Sequence, residues 1–122
     1  MLQMGNHMKL TAAQALREKI RAFYLGVCEC RAMDSPRPDL DLYEFRGGFV
    51  LGIFFVDAAE AMPEPDYLKA AWLELKVDNV EAYRERLQAF GVQQLAYEDT
   101  SRFYFQAPGG QVFRLARLDG GI

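Results

Sequence analysis

The chain has 122 residues, of which 51% are hydrophobic, 25% charged and 13% aromatic. That length suits one domain, or two small modules sharing a core, with enough buried surface to fold without a metal or a disulfide. A net charge of −3 without a dense basic run argues against nucleic acid as a partner, and no apolar run nears the ~20 residues of a membrane span. The opening residues, Met1 to Met8, lack the basic and apolar stretches of a signal peptide. Cys28 and Cys30 are too close in sequence to staple a fold, so both read as free thiols of a cytoplasmic protein.

Polarity alternates over 7–11, where Met8 and Leu10 sit between His7, Lys9 and Thr11, which predicts a half-buried strand. A helix is expected over about 12–25, with Thr11 and Gln14 at capping-box spacing and Leu16, Ile20 and Phe23 at helical intervals. Strands are expected at roughly 27–33, 40–46 and 49–56, broken by Ser35-Pro36-Arg37-Pro38 and turned at Gly47-Gly48. A strand at 27–33 points Cys28 and Cys30 to one face; they read as small buried hydrophobes in preference to a soft-metal or redox pair. Residues 57–70, with Pro63 and Pro65, read as a linker.

Alternation returns over 72–77, with Leu73, Leu75 and Val77 between Trp72, Glu74 and Lys76. A second helix is expected over 79–90, opened by Asp78 and Glu81 at capping-box spacing and closed by Gly91. Strands at roughly 93–98, 102–106 and 111–118 follow, the last two joined by Pro108-Gly109-Gly110. The Arg17/Glu18 and Arg84/Glu85 pairs read as solvated helix faces.

The two halves repeat. Ala15-Leu16-Arg17-Glu18-Lys19-Ile20-Arg21-Ala22-Phe23 returns as Ala82-Tyr83-Arg84-Glu85-Arg86-Leu87-Gln88-Ala89-Phe90, identical at five of nine positions. Gly26-Val27 follows the first copy after two extra residues, and Gly91-Val92 follows the second at once. The expected architecture is α+β: two βαβββ modules forming a half-barrel sheet with helices on its convex side. They make a single domain over 1–122, with module one at about 5–56 and module two at about 71–118.

That order, with these motifs, resembles the vicinal oxygen chelate superfamily, which includes glyoxalase I, extradiol dioxygenases and the bleomycin and fosfomycin resistance proteins. The resemblance rests on Phe23-Tyr24 with Leu25-Gly26, on the Trp72 to Phe90 segment with Asp78-Asn79-Val80-Glu81-Ala82, and on Phe103 to Phe113 around Ala107-Pro108-Gly109-Gly110. It implies four cation-ligand positions, on the first and last strand of each module. Here they fall on His7, Gly52, Trp72 and Arg114. Only His7 is a good donor: Gly52 has no side chain, the Trp72 indole only donates, and Arg114 is permanently cationic. The expectation is therefore no metal, no cofactor and no catalytic residue of the family's usual kind.

Strand parity gathers His7, Trp72, Glu74, Tyr104, Gln106 and Arg114 on the face away from the helices. Aromatic surface with a few directed polar groups suits a small molecule, either anionic beside Arg114 or planar against Trp72. Direct pairing of Glu74 with Arg114 is the competing arrangement. The expected function is a glyoxalase-like small-molecule-binding protein with a degenerate metal site, acting as a homodimer. The alternative is a glyoxalase- or dioxygenase-type lyase or oxidoreductase with a displaced metal site.

Overall fold

The computed structural model describes residues 1–120, which divide into two compact units, 1–62 and Pro63 onward. Each unit is a β-α-β-β-β module on its own four-stranded mixed sheet. In the first, β1 (His7–Ala13) leads to α1 (Arg17–Arg21), then β2 (Arg31–Met33), β3 (Leu40–Glu44) and β4 (Val50–Val56). The second repeats the order with β5 (Leu73–Val77), α2 (Val80–Phe90), β6 (Gln93–Leu95), β7 (Tyr104–Gln106) and β8 (Val112–Arg117). The sheet orders, β1-β4-β3-β2 and β5-β8-β7-β6, are the same. In each, the first strand joins the last in parallel and the remaining pairs are antiparallel.

Registers agree as well as orders. Gly52 lies between Lys9 and Leu42, and Arg114 lies between Glu74 and Tyr104. The turns that feed β4 and β8 depend on glycine, because Gly47, Gly48, Gly109 and Gly110 all take left-handed φ values between 92° and 122°. No helix among the described residues is long and apolar enough to cross a membrane.

Alternation sends one face of each sheet to its helix. In unit one, Leu51, Ile53 and Phe55 of β4 and Ile20, Phe23 and Tyr24 of the helical stretch are all at most 3% exposed. The Tyr24 ring stacks on Tyr43 of β3 with centroids 5.3 Å apart. In unit two the core is Leu87 of α2 with Phe103, Phe105, Phe113 and Leu115. Its rings stack in sequence, Phe103 on Phe105 at 5.8 Å and Phe105 on Phe113 at 5.7 Å.

Both repeated arginines touch this packing; Arg17, 23% exposed, is not the solvated group that the sequence suggested, whereas Arg84 keeps 41% of its side chain exposed. Arg17 donates to Asp41 of β3 at 2.7 Å and lies over the Phe55 ring, 4.8 Å from its centroid. Asp41 also accepts from the Tyr43 hydroxyl at 2.8 Å. Burial, with this donation to Asp41, raises the Tyr43 pKa above the ordinary phenol value. Arg84 covers Phe103 at 5.3 Å. A guanidinium on a long stem can cover an aromatic core edge and still reach a carboxylate or water.

Several boundaries differ from the sequence expectation. β1 extends to Ala13 because its ladder with β4 continues to Val56, so Thr11 is a strand residue and the N-cap position of the helical stretch falls on Ala13. The helical stretch after it opens as a 3₁₀ turn (Gln14–Leu16), runs as α1, and widens into a π turn over Ala22–Val27. The two residues between Phe23 and Gly26, which have no counterpart between Phe90 and Gly91, are taken up in that wider turn.

Cys28-Glu29-Cys30 is therefore a turn and not a strand. Cys28 N donates to Phe23 O at 3.1 Å, Cys30 N donates to Tyr24 O at 2.9 Å, and Glu29 has φ 60°. β2, β6 and β7 are each only three residues long. The 57–70 stretch is not a bare linker, since Glu64–Lys69 forms 3₁₀ turns that belong to unit two. Asn79, not Asp78, caps α2: its side-chain oxygen accepts from Ala82 N at 3.0 Å. Asn79→Ala is expected to lower stability by about 1 kcal/mol and Asp78→Ala by less than about half that. Urea midpoints with unchanged slopes would check this, and equal losses would refute the assignment.

Candidate functional site

On the helix-free face of unit two, one row crosses three strands. Arg114, in the middle strand β8, donates from Nε to Glu74 Oε2 at 2.8 Å, and its Nη2 lies 2.7 Å from the same oxygen as an ion pair. On its other side Nη1 donates to the Tyr104 hydroxyl at 3.5 Å. The row exists because the parallel β5–β8 register pairs Glu74 with Arg114, and the antiparallel β7–β8 register pairs Tyr104 with it. Acceptance by Tyr104 and by Glu74 holds the guanidinium cationic, with its pKa raised above the ordinary arginine value. By distance the Glu74 contact is the tighter.

Three rings close one end of this row. Trp72, Tyr97 and Tyr104 meet pairwise with centroids 5.1, 5.6 and 4.9 Å apart, inclined by 50–65°. Tyr104 is buried, whereas Tyr97 is 49% exposed and presents the accessible edge. Tyr97 stands after β6, in a stretch of irregular backbone. The same loop carries Asp99, whose carboxylate is held below the usual range by the Ser101 side-chain and backbone donors, with help from Arg102 and Arg114.

The segment Glu64–Lys69 sets the position of Trp72. The indole Nε1 donates to Leu68 O at 3.2 Å. Glu64 Oε2 accepts from Gly109 N at 3.0 Å, and Tyr67 lies over Gly110, where a Cβ would fall 2.3 Å from the ring. Gln106, expected on the ligand-facing side, serves this junction. Its Nε2 donates to Glu64 O at 2.7 Å and to Gly110 O at 2.9 Å.

His7 lies in unit one, exposed at the start of β1. Its Nε2 closes over Gly52, 3.4 Å from where a Cβ would stand, and Leu42 closes from the other side at 3.2 Å. Two residues on, the Lys9 ammonium lies 4.6 Å from the centroid of Phe54, and Arg37 reaches the same ring at 5.3 Å. Arg37 is held by Asp39, donating at 2.9 and 2.8 Å.

Neither Cys28 nor Cys30 forms a disulfide among the described residues. Burial pushes the Cys30 thiol up to about 12, so it stays protonated and unreactive at neutral pH.

No protein-family model matches the sequence, and no curated protein matches it. Solved structures do match. The fosfomycin resistance protein FosX of Listeria monocytogenes, complexed with Mn(II) and sulfate, superposes with TM-score 0.72 at 17% identity, over 96% of this chain and 91% of that one. FosX of Mesorhizobium loti gives 0.70 at 15% identity, over 100% and 95%. A possible glyoxalase of Bacillus cereus gives 0.62 at 20%, over 93% and 98%. This chain has the vicinal oxygen chelate fold.

Of the four residues that the resemblance singled out, His7, Gly52, Trp72 and Arg114, the last two are engaged by Leu68 and Glu74. Among the described residues, no three His, Cys, Asp or Glu side chains gather as a cation site requires. Sequence parity named most of the unit-two row. It missed Tyr97, because an irregular loop has no periodicity to read, and it missed the Lys9–Phe54 contact. Lys9 was legible as the same-face neighbour of His7, and its partner ring lies on a different strand.

Gly110→Ala is expected to cost about 3 kcal/mol, since the new methyl meets Tyr67 and the backbone holds φ +122°. It should also alter the emission of Trp72. Gly26→Ala, with no atom within 4 Å, should be close to neutral. Iodoacetamide at pH 8 should leave Cys30 unmodified in folded protein and alkylate it after denaturation. Rapid native labelling of Cys30, seen by peptide mass mapping, would contradict the burial.

Proposed function

We propose that the chain is a glyoxalase-like small-molecule-binding protein with a degenerate metal site, and that its ligand meets the unit-two face made by Trp72, Tyr97, Tyr104, Glu74 and Arg114. The Arg114–Glu74 ion pair is the observation that carries this reading. It puts a permanent cation, already neutralised by its neighbour, where the fold's metal-binding members supply a ligand. The residues do not fit a divalent ion. Of His7, Gly52, Trp72 and Arg114 only His7 offers a donor electron pair, and Arg114, which already engages the Glu74 carboxylate, repels a metal.

A binding mode without metal follows from the same groups. The exposed edge of Tyr97 and the face of Trp72 supply flat apolar surface for a planar ligand. The guanidinium is held in its plane by Glu74 and Tyr104, so its remaining N–H groups are pre-aimed at an acceptor on that ligand. Because Glu74 already balances the charge, a fully charged anion gains less here than a neutral carbonyl or enol oxygen. The strands at the ends of both sheets support assembly as a homodimer, and free thiols support a cytoplasmic setting.

Trp72 is the only tryptophan, so its emission reports on this face directly. Purified protein should contain far less than stoichiometric transition metal by elemental analysis. A planar dye such as anilinonaphthalene sulfonate should bind saturably with energy transfer from Trp72, and Tyr97→Ala should weaken that binding about tenfold. One metal ion per chain, lost on His7→Ala, would overturn the degenerate-site reading. A monomer mass by light scattering would count against the dimer.

A further inference from the structure

We infer that the 96–102 connection of unit two is a gate, with the Tyr97 ring opening and closing over Trp72 and Asp99 acting as its latch. The inference rests on the proposed reading of this face as a binding site and adds how a ligand enters and leaves it.

An equivalent connection exists in both units, between the second and third strands. Each sends one side chain onto an aromatic ring of its sheet. In unit one Arg37 lies over Phe54, 5.3 Å from its centroid. In unit two Tyr97 lies against Trp72 and Tyr104, with centroids 5.1 and 4.9 Å away.

The two connections differ in what fixes them. That of unit one holds Pro36 and Pro38, which lock two φ angles. Its Ser35 hydroxyl donates to Arg37 O at 2.9 Å, and Asp39 clamps the Arg37 guanidinium. The 96–102 stretch contains no proline. Among the described residues, no main-chain hydrogen bond joins it to a strand. Its restraint is local: Asp99 accepts from Ser101 N at 2.9 Å and from the Ser101 hydroxyl, closing a small turn. The same carboxylate lies in the field of Arg102 and of Arg114 on β8. Partly exposed charges of this kind are screened, so they bias the connection toward the sheet without fixing it.

The Tyr97 ring meets Trp72 and Tyr104 at inclinations of 65° and 50° and stays 49% exposed. It has buried only part of its surface there and loses only that part on leaving. Uncovering the indole is therefore a local motion of one connection over an unchanged sheet. A ligand enters while the ring is away and is held when it returns, so the gate sets rates more than affinity.

Two measurements on the full chain test this. The first needs no ligand: acrylamide quenching of Trp72 emission. Tyr97→Ala, which removes the cover, should raise the quenching constant about threefold. Asp99→Ala, which loosens the latch and leaves every ring in place, should raise it about twofold, and Ser35→Ala in the unit-one connection should leave it unchanged. The second is stopped-flow mixing with anilinonaphthalene sulfonate. Asp99→Ala should speed association and dissociation alike, each about threefold, with affinity within about twofold. Quenching or dye rates indifferent to Asp99→Ala overturn the gate, as does faster dissociation alone, which describes a fixed wall. Quenching that responds while the dye fails to bind upholds the gate and overturns the reading of this face as a ligand site. Both variants change an irregular surface stretch, so their thermal melts should match the unmodified chain and exclude misfolding as the cause.

Discussion

The parallel pairing of the first and last strand in each unit is the constraint on which the rest depends. Parallel neighbours cannot be joined by a tight turn, so the chain must leave β1 or β5, cross through a helix and return by an antiparallel meander. The helix then covers one face of its sheet. The other face is left with side chains from three adjacent strands in strict lateral register. The Glu74–Arg114–Tyr104 row and the Lys9–Phe54 diagonal both follow that register.

Identical frames carry different chemistry because charge compensation within a row is decided one residue at a time. At the centre of unit two, Arg114 has Glu74 on one side and a tyrosine hydroxyl on the other. Both side chains of the pair remain partly exposed, at 30% and 26%, so it is the register and the added Tyr104 contact that hold it. At the centre of unit one stands Gly52, and the flanking lysine has a ring beneath it instead of a carboxylate beside it. One face is electrically closed and the other is open.

The repeated arginine shows the same economy on the helix side. Arg17 and Arg84 occupy equivalent places in the two helical segments, and both lie over a core phenylalanine. Arg17 adds a bond to Asp41 that ties the short α1 to its sheet, where a five-residue helix has little propensity of its own to persist. The eleven-residue α2, capped by Asn79 and closed by Gly91 in the left-handed conformation, has no comparable carboxylate partner at Arg84 on the sheet. The pairing of Arg17 therefore offsets a shorter helix.

The sequence by itself determined the module order, because the spacing of apolar residues and the two Gly-Gly turns depend only on local periodicity and on backbone sterics. It determined the sheet face of Trp72, Glu74, Tyr104 and Arg114 for the same reason: side chains alternate along any strand, whatever that strand pairs with. Tertiary structure alone decided what those residues touch. Whether Arg114 would meet a ligand or Glu74 depended on the register between strands 40 residues apart in sequence, which no local pattern encodes. Tyr97 joined Trp72 through an irregular loop, and Cys28-Glu29-Cys30 became a turn because a π-helical widening absorbed two residues upstream. Gln106, alternating correctly onto the ligand-facing side, was taken by the backbone carbonyls of Glu64 and Gly110. A buried amide goes to whichever acceptors the folded chain brings within reach, and one of these, Glu64, came from a segment that composition marked only as a linker.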